Sequence, residues 1–172
     1  MPTGLKATSS PIQIGAQIVQ AAPNVFTSES IELSLNALDN EVFVVTQVNL
    51  DLSAPDSVAA LSTEVEASLS TTQRTTVGSI ADSNVLATSR QEIICNAAMT
   101  PDGGIAFSRE DPTFTALSED YIGIIATSNA FLSLVGVNNG NPKACSVRIY
   151  GYRATANASV YAALVQSEVL SA

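Results

Sequence analysis

Hydrophobic and polar residues alternate with a period of two along much of this chain. In the segment 29–38, Ile31, Leu33 and Leu35 alternate with Glu32 and other polar residues. Because successive side chains of a β-strand point to opposite faces, this alternation predicts a strand with one buried face and one exposed face.

Similar runs recur between clusters of turn residues and predict eight strands. These are 29–38, 41–52, 63–70, 73–80, 90–98, 121–126, 130–137 and 143–153. In the second of them, Val42, Val44, Val48, Leu50 and Leu52 are predicted to share one face. Short strands broken by turns are typical of an all-β sandwich, and eight strands in two sheets is the strand count of a jelly roll.

The strongest local signal is the segment Phe131–Arg153, in which FLSLVGV and KACSVRIYGYR flank the turn residues NNGNP. This arrangement predicts an antiparallel β-hairpin. In the second run, alternation places Arg148, Tyr150 and Tyr152 on one face and apolar residues on the other. Tyrosine rings can be buried while their hydroxyls remain hydrogen-bonded. These three residues are therefore candidates for sheet packing or subunit contact.

The N-terminal segment 1–28 has a weaker period-two pattern, carried by Ile12, Ile14, Ala16 and Ile18. Such a segment could be an extended arm that docks on a neighbouring subunit, or an edge strand. It is assigned here as an N-terminal arm that precedes a jelly-roll domain.

The period changes near the C-terminus, where NASVYAALVQSEVLSA has apolar residues at helical spacing. Asn157 is a suitable N-cap for this helix. The sequence thus predicts three parts: an arm at 1–28, a β-sandwich at 29–155 and a short helix at 156–172.

Composition favours a protein that buries surface against other subunits. Apolar residues make up 46% of the chain and charged residues only 13%, which is about half the usual charged share. Obligate interfaces are apolar and poor in charge, so this composition favours an assembly over a monomer with a Ser/Thr-rich surface. The net charge of −9, with scattered basic residues, argues against nucleic-acid binding, which needs clustered Lys and Arg.

Neither a membrane span nor a secretion signal is predicted. No apolar stretch approaches the ~20 residues that a spanning helix needs, and no charged segment followed by an apolar one begins the chain. Cys95 and Cys145 are compatible with one disulfide or with two buried thiols. Without a secretion signal, reduced thiols are favoured.

The chain contains no histidine, no P-loop, no GxGxxG and no CxxC pair. The absence of histidine excludes Ser-His-Asp and Cys-His catalysis and most zinc sites. The sequence therefore predicts neither an enzyme nor a bound cofactor.

One acidic group lies in the predicted long loop at 100–120. It consists of Asp102, Glu110, Asp111, Glu119 and Asp120. These carboxylates could bind a hard cation such as Ca²⁺, although their spacing matches no EF-hand. Solvated loop carboxylates are the more ordinary interpretation. A carboxylate pair for glycoside hydrolysis would lack tryptophan platforms for the sugar.

The runs EVFVVTQVNLDLSAPD and SVRIYGYRATANASVYAALVQSEVLSA resemble small single jelly-roll capsid proteins of icosahedral viruses and phages. The resemblance covers most of 29–172. It implies a coat subunit that self-assembles into a shell, is made in the host cytoplasm and resides in the virion. Its implied partners are copies of itself and other virion proteins.

Many such coats have a basic arm, whereas here the arm has only Lys6, so direct genome binding is not expected. Another protein or an underlying membrane would face the genome, or packaging would not rely on this arm.

Two other functions remain open at this stage. A virion spike or decoration protein, or a lectin-like β-sandwich, would need a binding site, and the chain has five Phe, four Tyr and no Trp for sugar stacking. A β-sandwich enzyme would need two acids that converge in one pocket.

Overall fold

The computed structural model describes residues 4–95, 104–110 and 121–170, with the backbone alone described for 104–110. The described residues form ten strands, a 3-10 turn at Ala37–Asp39 and one α-helix. In chain order these elements are β1 (Leu5–Ala7), β2 (Ile12–Val19), β3 (Thr27–Glu32), β4 (Glu41–Leu52), β5 (Thr63–Ser70), β6 (Val85–Cys95), β7 (Gly104–Glu110), β8 (Gly123–Ile125), β9 (Asn129–Val137), β10 (Ala144–Ala156) and α1 (Ala158–Leu170).

The strands form two antiparallel sheets. The first sheet has the order β2-β10-β4-β8, with β1 beside the C-terminal part of β10, and the second has the order β3-β9-β5-β6-β7. β9 and β10 lie in different sheets, so the predicted antiparallel hairpin over Phe131–Arg153 is wrong. The connections from β2 to β3, β3 to β4, β4 to β5, β8 to β9 and β9 to β10 all cross between the sheets. This is the strand order of a jelly roll, extended by β1 and β7. The predicted all-β sandwich with a short C-terminal helix is confirmed.

The hydrophobic core lies between the two sheets. Its largest fully buried side chains include Phe43, Leu69, Leu132 and Ile149. Burying a side chain of this kind contributes about 1.5–3 kcal/mol. Cys145 also lies in this core, and burial raises the pKa of its thiol to about 12. Neither cysteine forms a disulfide.

The eighth jelly-roll strand is not the one predicted from the sequence. The segment 73–80 is part of a loop between β5 and β6, which Arg74 stabilises by donating hydrogen bonds to Asn84 and Asp82, both at 2.8 Å. Its β-branched residues favour a strand, but these side-chain bonds favour a loop. The eighth strand of the jelly roll is instead β2, which pairs with β10 along its full length.

The N-terminal segment therefore forms an edge strand, which is one of the two structures predicted for it. β1 and β2 both pair with β10, so the boundary at residue 28 does not separate an arm from the sandwich. At the other terminus, Asn157 caps α1 as predicted, since its Oδ1 accepts the backbone N–H of Val160 at 2.9 Å. Within the described part of the chain, no helix has the length and apolar character needed to cross a membrane.

A β-bulge divides β4 and corrects the predicted alternation along it. The register against β10 shifts between Tyr150 and Gly151, which leaves Thr46 as an extra residue in β4. An extra residue reverses the facing of every position beyond it. Val42 and Val44 therefore lie on the outer face, whereas the residues after the bulge face the core as predicted.

Candidate interaction surface

The three predicted contact residues lie on the outer face of the first sheet. Arg148 is exposed, and Tyr150 and Tyr152 are half-buried, while the neighbouring Val147 and Ile149 point into the core. The structure thus places all three on one face, but it gives them two different environments.

The end of this face that contains Tyr152 is covered by the chain's own helix. A second apolar cluster forms there, with Val42, Val44, Ala154 and Ala156 of the sheet buried beneath α1. The helix contributes four partly buried residues, which are Val160, Tyr161, Leu164 and Val165. Tyr152 packs against the same cluster. It is therefore a residue of internal sheet packing, which was one of the two roles expected for it.

A carboxylate fixes the far end of α1 to the sandwich. Glu168 is only 8% exposed, and its Oε1 and Oε2 accept the backbone N–H groups of Ala126 at 2.7 Å and Thr127 at 3.0 Å. Burial raises the pKa of this carboxyl, although the two N–H donors act in the opposite direction. Helical spacing places Glu168 on the same face of α1 as Tyr161 and Leu164. Its partners lie in a distant loop, so nothing local in the sequence indicated them.

The other end of the outer face is open in the described structure. Three rows of the register cross it, each centred on a β10 residue: Gln13–Tyr150–Gln47, Gly15–Arg148–Asn49 and Gln17–Ser146–Asp51. We call these nine positions the open surface. Only Arg148 and Asp51 among them carry a charge. The open surface is therefore a sheet face lined mainly by amides, a hydroxyl and a phenol, all of which can donate and accept hydrogen bonds.

A buried polar network holds one end of the sandwich together. Lys143 is only 5% exposed, and its Nζ donates to Asp56 Oδ1 and, at 2.9 Å, to the Ala54 carbonyl. Asp56 Oδ2 accepts the Asn141 N–H at 2.8 Å. The hydrogen bond from Lys143 lowers the pKa of Asp56. Lys143 therefore has a structural role and is not available to bind an external anion.

Amide side chains extend this network to the loop after β2. Asn139 accepts the Asp56 N–H at 2.9 Å, and its own N–H donates to Asn24 Oδ1 at 2.8 Å. Gln20 Oε1 accepts the Lys143 N–H at 2.9 Å. The loops that follow β2, β4 and β9 are thus bound to one another, which fixes the end of β2 beside β10.

Three carboxylates surround one guanidinium on the second sheet. Arg90 lies 2.8 Å from Glu64, 3.2 Å from Glu66 and 3.5 Å from Glu92. Burial and the neighbouring Glu66 raise the pKa of Glu64 to about 7. Alternation along the predicted strand 63–70 places Glu64 and Glu66 on one side, but it does not bring Arg90 and Glu92 to them, because that requires the pairing of β5 with β6.

The predicted cation site falls largely outside the described residues. Asp102, Asp111, Glu119 and Asp120 lie there, and for Glu110, the last residue of β7, only the backbone is described. Among the side chains that the structure does describe, no group of three or more His, Cys, Asp or Glu is arranged to hold a metal ion.

Comparison with known proteins does not assign the chain to a family. No protein-family model matches the chain, and no curated protein matches it. The chain is similar to a solved structure of Desmodium yellow mottle tymovirus, with 12% identity, a TM-score of 0.29, and coverage of 91% of this chain and 93% of that one. A similarity at this level does not establish a shared function, so function has to be inferred from the described surfaces.

Proposed function

We propose that this protein is a structural subunit that self-assembles into the icosahedral coat of a virus, with copies of the jelly roll packed side by side. The observation that carries this proposal is the open surface. One half of the outer face is closed by α1, whereas the half around Arg148 is a sheet face with little charge. Because buried charges are costly and interface cores are depleted in them, such a face is suited to contact with another protein.

Three of the seven basic residues are paired with carboxylates, which supports a role without direct genome contact. Lys143 is paired with Asp56, Arg74 with Asp82, and Arg90 with Glu64. Cations that neutralise internal carboxylates are not free to neutralise phosphates, and the chain as a whole has a net charge of −9. The proposed partners are therefore copies of this chain and other virion proteins, and the proposed location is the virion after synthesis in the host cytoplasm.

The proposal does not include catalysis or a cofactor. Glu64, Glu66 and Glu92 surround Arg90, and Asp56 is bound to Lys143. The pKa of Asp56, lowered by Lys143, suits structural pairing better than proton donation.

The test is the state of the purified full-length chain over a range of concentrations, measured by light scattering after size-exclusion chromatography and by negative-stain microscopy. The proposal predicts closed particles with countable subunits. A chain that stays monomeric at high concentration and forms no particle would contradict it. Glycan-array binding by such a monomer would favour the lectin-like alternative instead.

A further inference from the structure

β2 is an edge strand that lacks the usual protection of such strands. It has the sequence IQIGAQIV and pairs with β10 along one side. No other strand in the described residues pairs with its second side. Edge strands normally carry charges, proline or bulges that prevent pairing with another chain, and β2 contains none of these within its eight residues.

The apolar side of β2 is also incompletely covered. Ile12, Ile14 and Ala16 pack against the core, yet each is only half-buried, unlike Ile18 at 1% exposure. Apolar surface left at a sheet edge can be buried by an additional strand, which also pairs the unpaired backbone groups.

The sequence of β2 is nearly symmetric about Gly15. In an antiparallel pair, directly opposed residues are either both hydrogen-bonded or both not hydrogen-bonded. These two kinds of pair alternate along the ladder. When a strand pairs with a copy of itself, the twofold axis must therefore lie where one residue is opposite its own copy, and not between two neighbouring residues. An axis at Gly15 gives the pairs Ile12–Ile18, Gln13–Gln17, Ile14–Ala16 and Gly15–Gly15. Apolar residues then face apolar residues, and amides face amides.

The alternative axis at Ala16 gives a poorer match. It would place Gln13 opposite Val19 and Gly15 opposite Gln17, so that each amide lacks a polar partner across the strand. Cross-strand pairs of like character stabilise a sheet, by about 0.2–1 kcal/mol each. The symmetric register at Gly15 is favoured for this reason. Pro11 lacks an N–H, which limits the ladder at one end.

We propose that a second copy of this chain pairs with β2, antiparallel and about a twofold axis at Gly15, so that the two first sheets become one continuous sheet. Such an interface is isologous, as in most homodimers. The two open surfaces would then lie side by side on one face of the joined sheet. This dimer does not depend on shell formation, although it would be a building block for one.

Cysteine cross-linking tests the axis directly. In a Cys95→Ser background, we expect Gly15→Cys to form a disulfide-linked dimer on mild oxidation, visible on a non-reducing gel. Opposed residues at the axis lie about 4.5–5.5 Å apart between Cα atoms, within the disulfide range. The substitution fits the fold, because among the described residues a β-carbon at Gly15 would meet only the Val147 carbonyl, at 3.9 Å.

Gln17→Cys in the same background is the matched control. In the proposed register it lies four residues away from its own copy, about 14 Å along the strand at roughly 3.4 Å per residue, so it should cross-link far more slowly. Equal cross-linking of the two variants would overturn the proposal. Faster cross-linking of Ala16→Cys than of Gly15→Cys would overturn the axis at Gly15.

A charge exchange tests the same pairs without covalent chemistry. Gln13→Lys with Gln17→Lys, and separately Gln13→Glu with Gln17→Glu, each place like charges opposite each other. Each variant alone should dimerise about tenfold more weakly than the wild type, and an equimolar mixture should recover the dimer. Unchanged dimerisation of both variants would overturn the proposal.

Gln73→Lys with Gln166→Lys provides the control for this exchange, since both glutamines are exposed and lie in the β5–β6 loop and on α1, away from β2 and from the open surface. This pair of substitutions should leave dimerisation unchanged. The outcome is separable from that of the coat proposal. A dimer without particles would support β2 pairing and contradict the coat, whereas particles without Gly15→Cys cross-linking would do the reverse.

Discussion

The two halves of the outer face of the first sheet differ sharply, although they are built from the same two strands. On one side of the bulge, β4 and β10 present Val42, Val44, Ala154 and Ala156, which α1 buries. On the other side, the same strands present the amides, hydroxyl and charges of the open surface around Arg148. One half is closed within the subunit, and the other is left for a partner or for water.

The bulge explains why the helix is needed where it lies. Without Thr46 as an extra residue, Val42 and Val44 would continue the inward facing of Val48. The bulge turns them outward, and the apolar patch that results must be covered by another element. The open half has no such patch, so nothing within the chain has to cover it.

The largest effect on stability is expected from Gly151→Ala, because Gly151 lies at the bulge where the two halves of the outer face meet. A β-carbon at Gly151 would overlap the Val44 carbonyl and lie 2.6 Å from the Phe43 ring. We expect the free energy of unfolding to fall by about 3 kcal/mol, because backbone cannot move aside as a flexible side chain can. Urea denaturation measures the change.

Gly140→Ala is the control for this substitution, since its β-carbon would meet only Asp56 Oδ2 among the described residues, at 3.8 Å. Its unfolding free energy should stay within about 1 kcal/mol of the wild type. Equal stability of Gly151→Ala and Gly140→Ala would show that the bulge is not a fixed feature.

A smaller effect is expected from Leu164→Ala, which weakens only the closed half. Leu164 is half-buried against the cluster beneath α1, so its truncation should lower the unfolding free energy by about 1–2 kcal/mol, less than for a fully buried leucine. Hydrogen exchange should increase in α1 more than in β5. Val169→Ala, at a position 65% exposed, should cost less than about 0.5 kcal/mol. Equal losses for the two variants would contradict the packing of α1 on this face.

Docking of α1 should also depend on pH through Glu168. The folded-state pKa of this carboxyl is raised, so the folded protein binds its proton more tightly than the unfolded chain does. Its contribution to stability is then fully present below the ordinary glutamate pKa and is lost as pH rises through the folded-state pKa.

The measurement is the difference in unfolding free energy between the wild type and Glu168→Gln at several pH values. The wild-type advantage should decrease as pH rises above the ordinary range of glutamate. Glu64, with a pKa raised to about 7, titrates in both proteins and cancels in this difference. An advantage that grows with pH would show that the two N–H donors outweigh burial.

The parts of the fold that were predictable are those set by local alternation. β4 and β5 have the predicted bounds of 41–52 and 63–70, because a core-facing strand must repeat apolar residues at every second position. The bulge at Thr46 could not be predicted from the local sequence. Valines lie on both sides of it, and they are apolar whichever face of the sheet they are on. The loop at 73–80 depends on side-chain bonds from Arg74, and those arise only after folding.

The sequence predicted which residues of the candidate surface share one face of the sheet, but not which of them α1 covers. Alternation placed Arg148, Tyr150 and Tyr152 together, and the structure does the same. Which of them remains open depends on where α1 docks, and that is decided by Glu168 and the distant Ala126 N–H. Such long-range contacts have no local pattern, so sequence reasoning could not separate Tyr152 from Arg148.

The smallest effect on stability, and the most direct test of the open half, is expected from Arg148→Glu. Arg148 is exposed and forms no ion pair with any described residue, so the unfolding free energy should change by less than about 0.5 kcal/mol. If the open surface is a subunit contact, assembly should nevertheless weaken, because a reversed charge at an interface is unfavourable. Light scattering measures particle yield, and Lys6→Glu, an exposed position on β1 with the same charge change, is the control. Normal assembly of a folded Arg148→Glu protein would mean that the two halves differ in packing alone, and that the open half faces solvent.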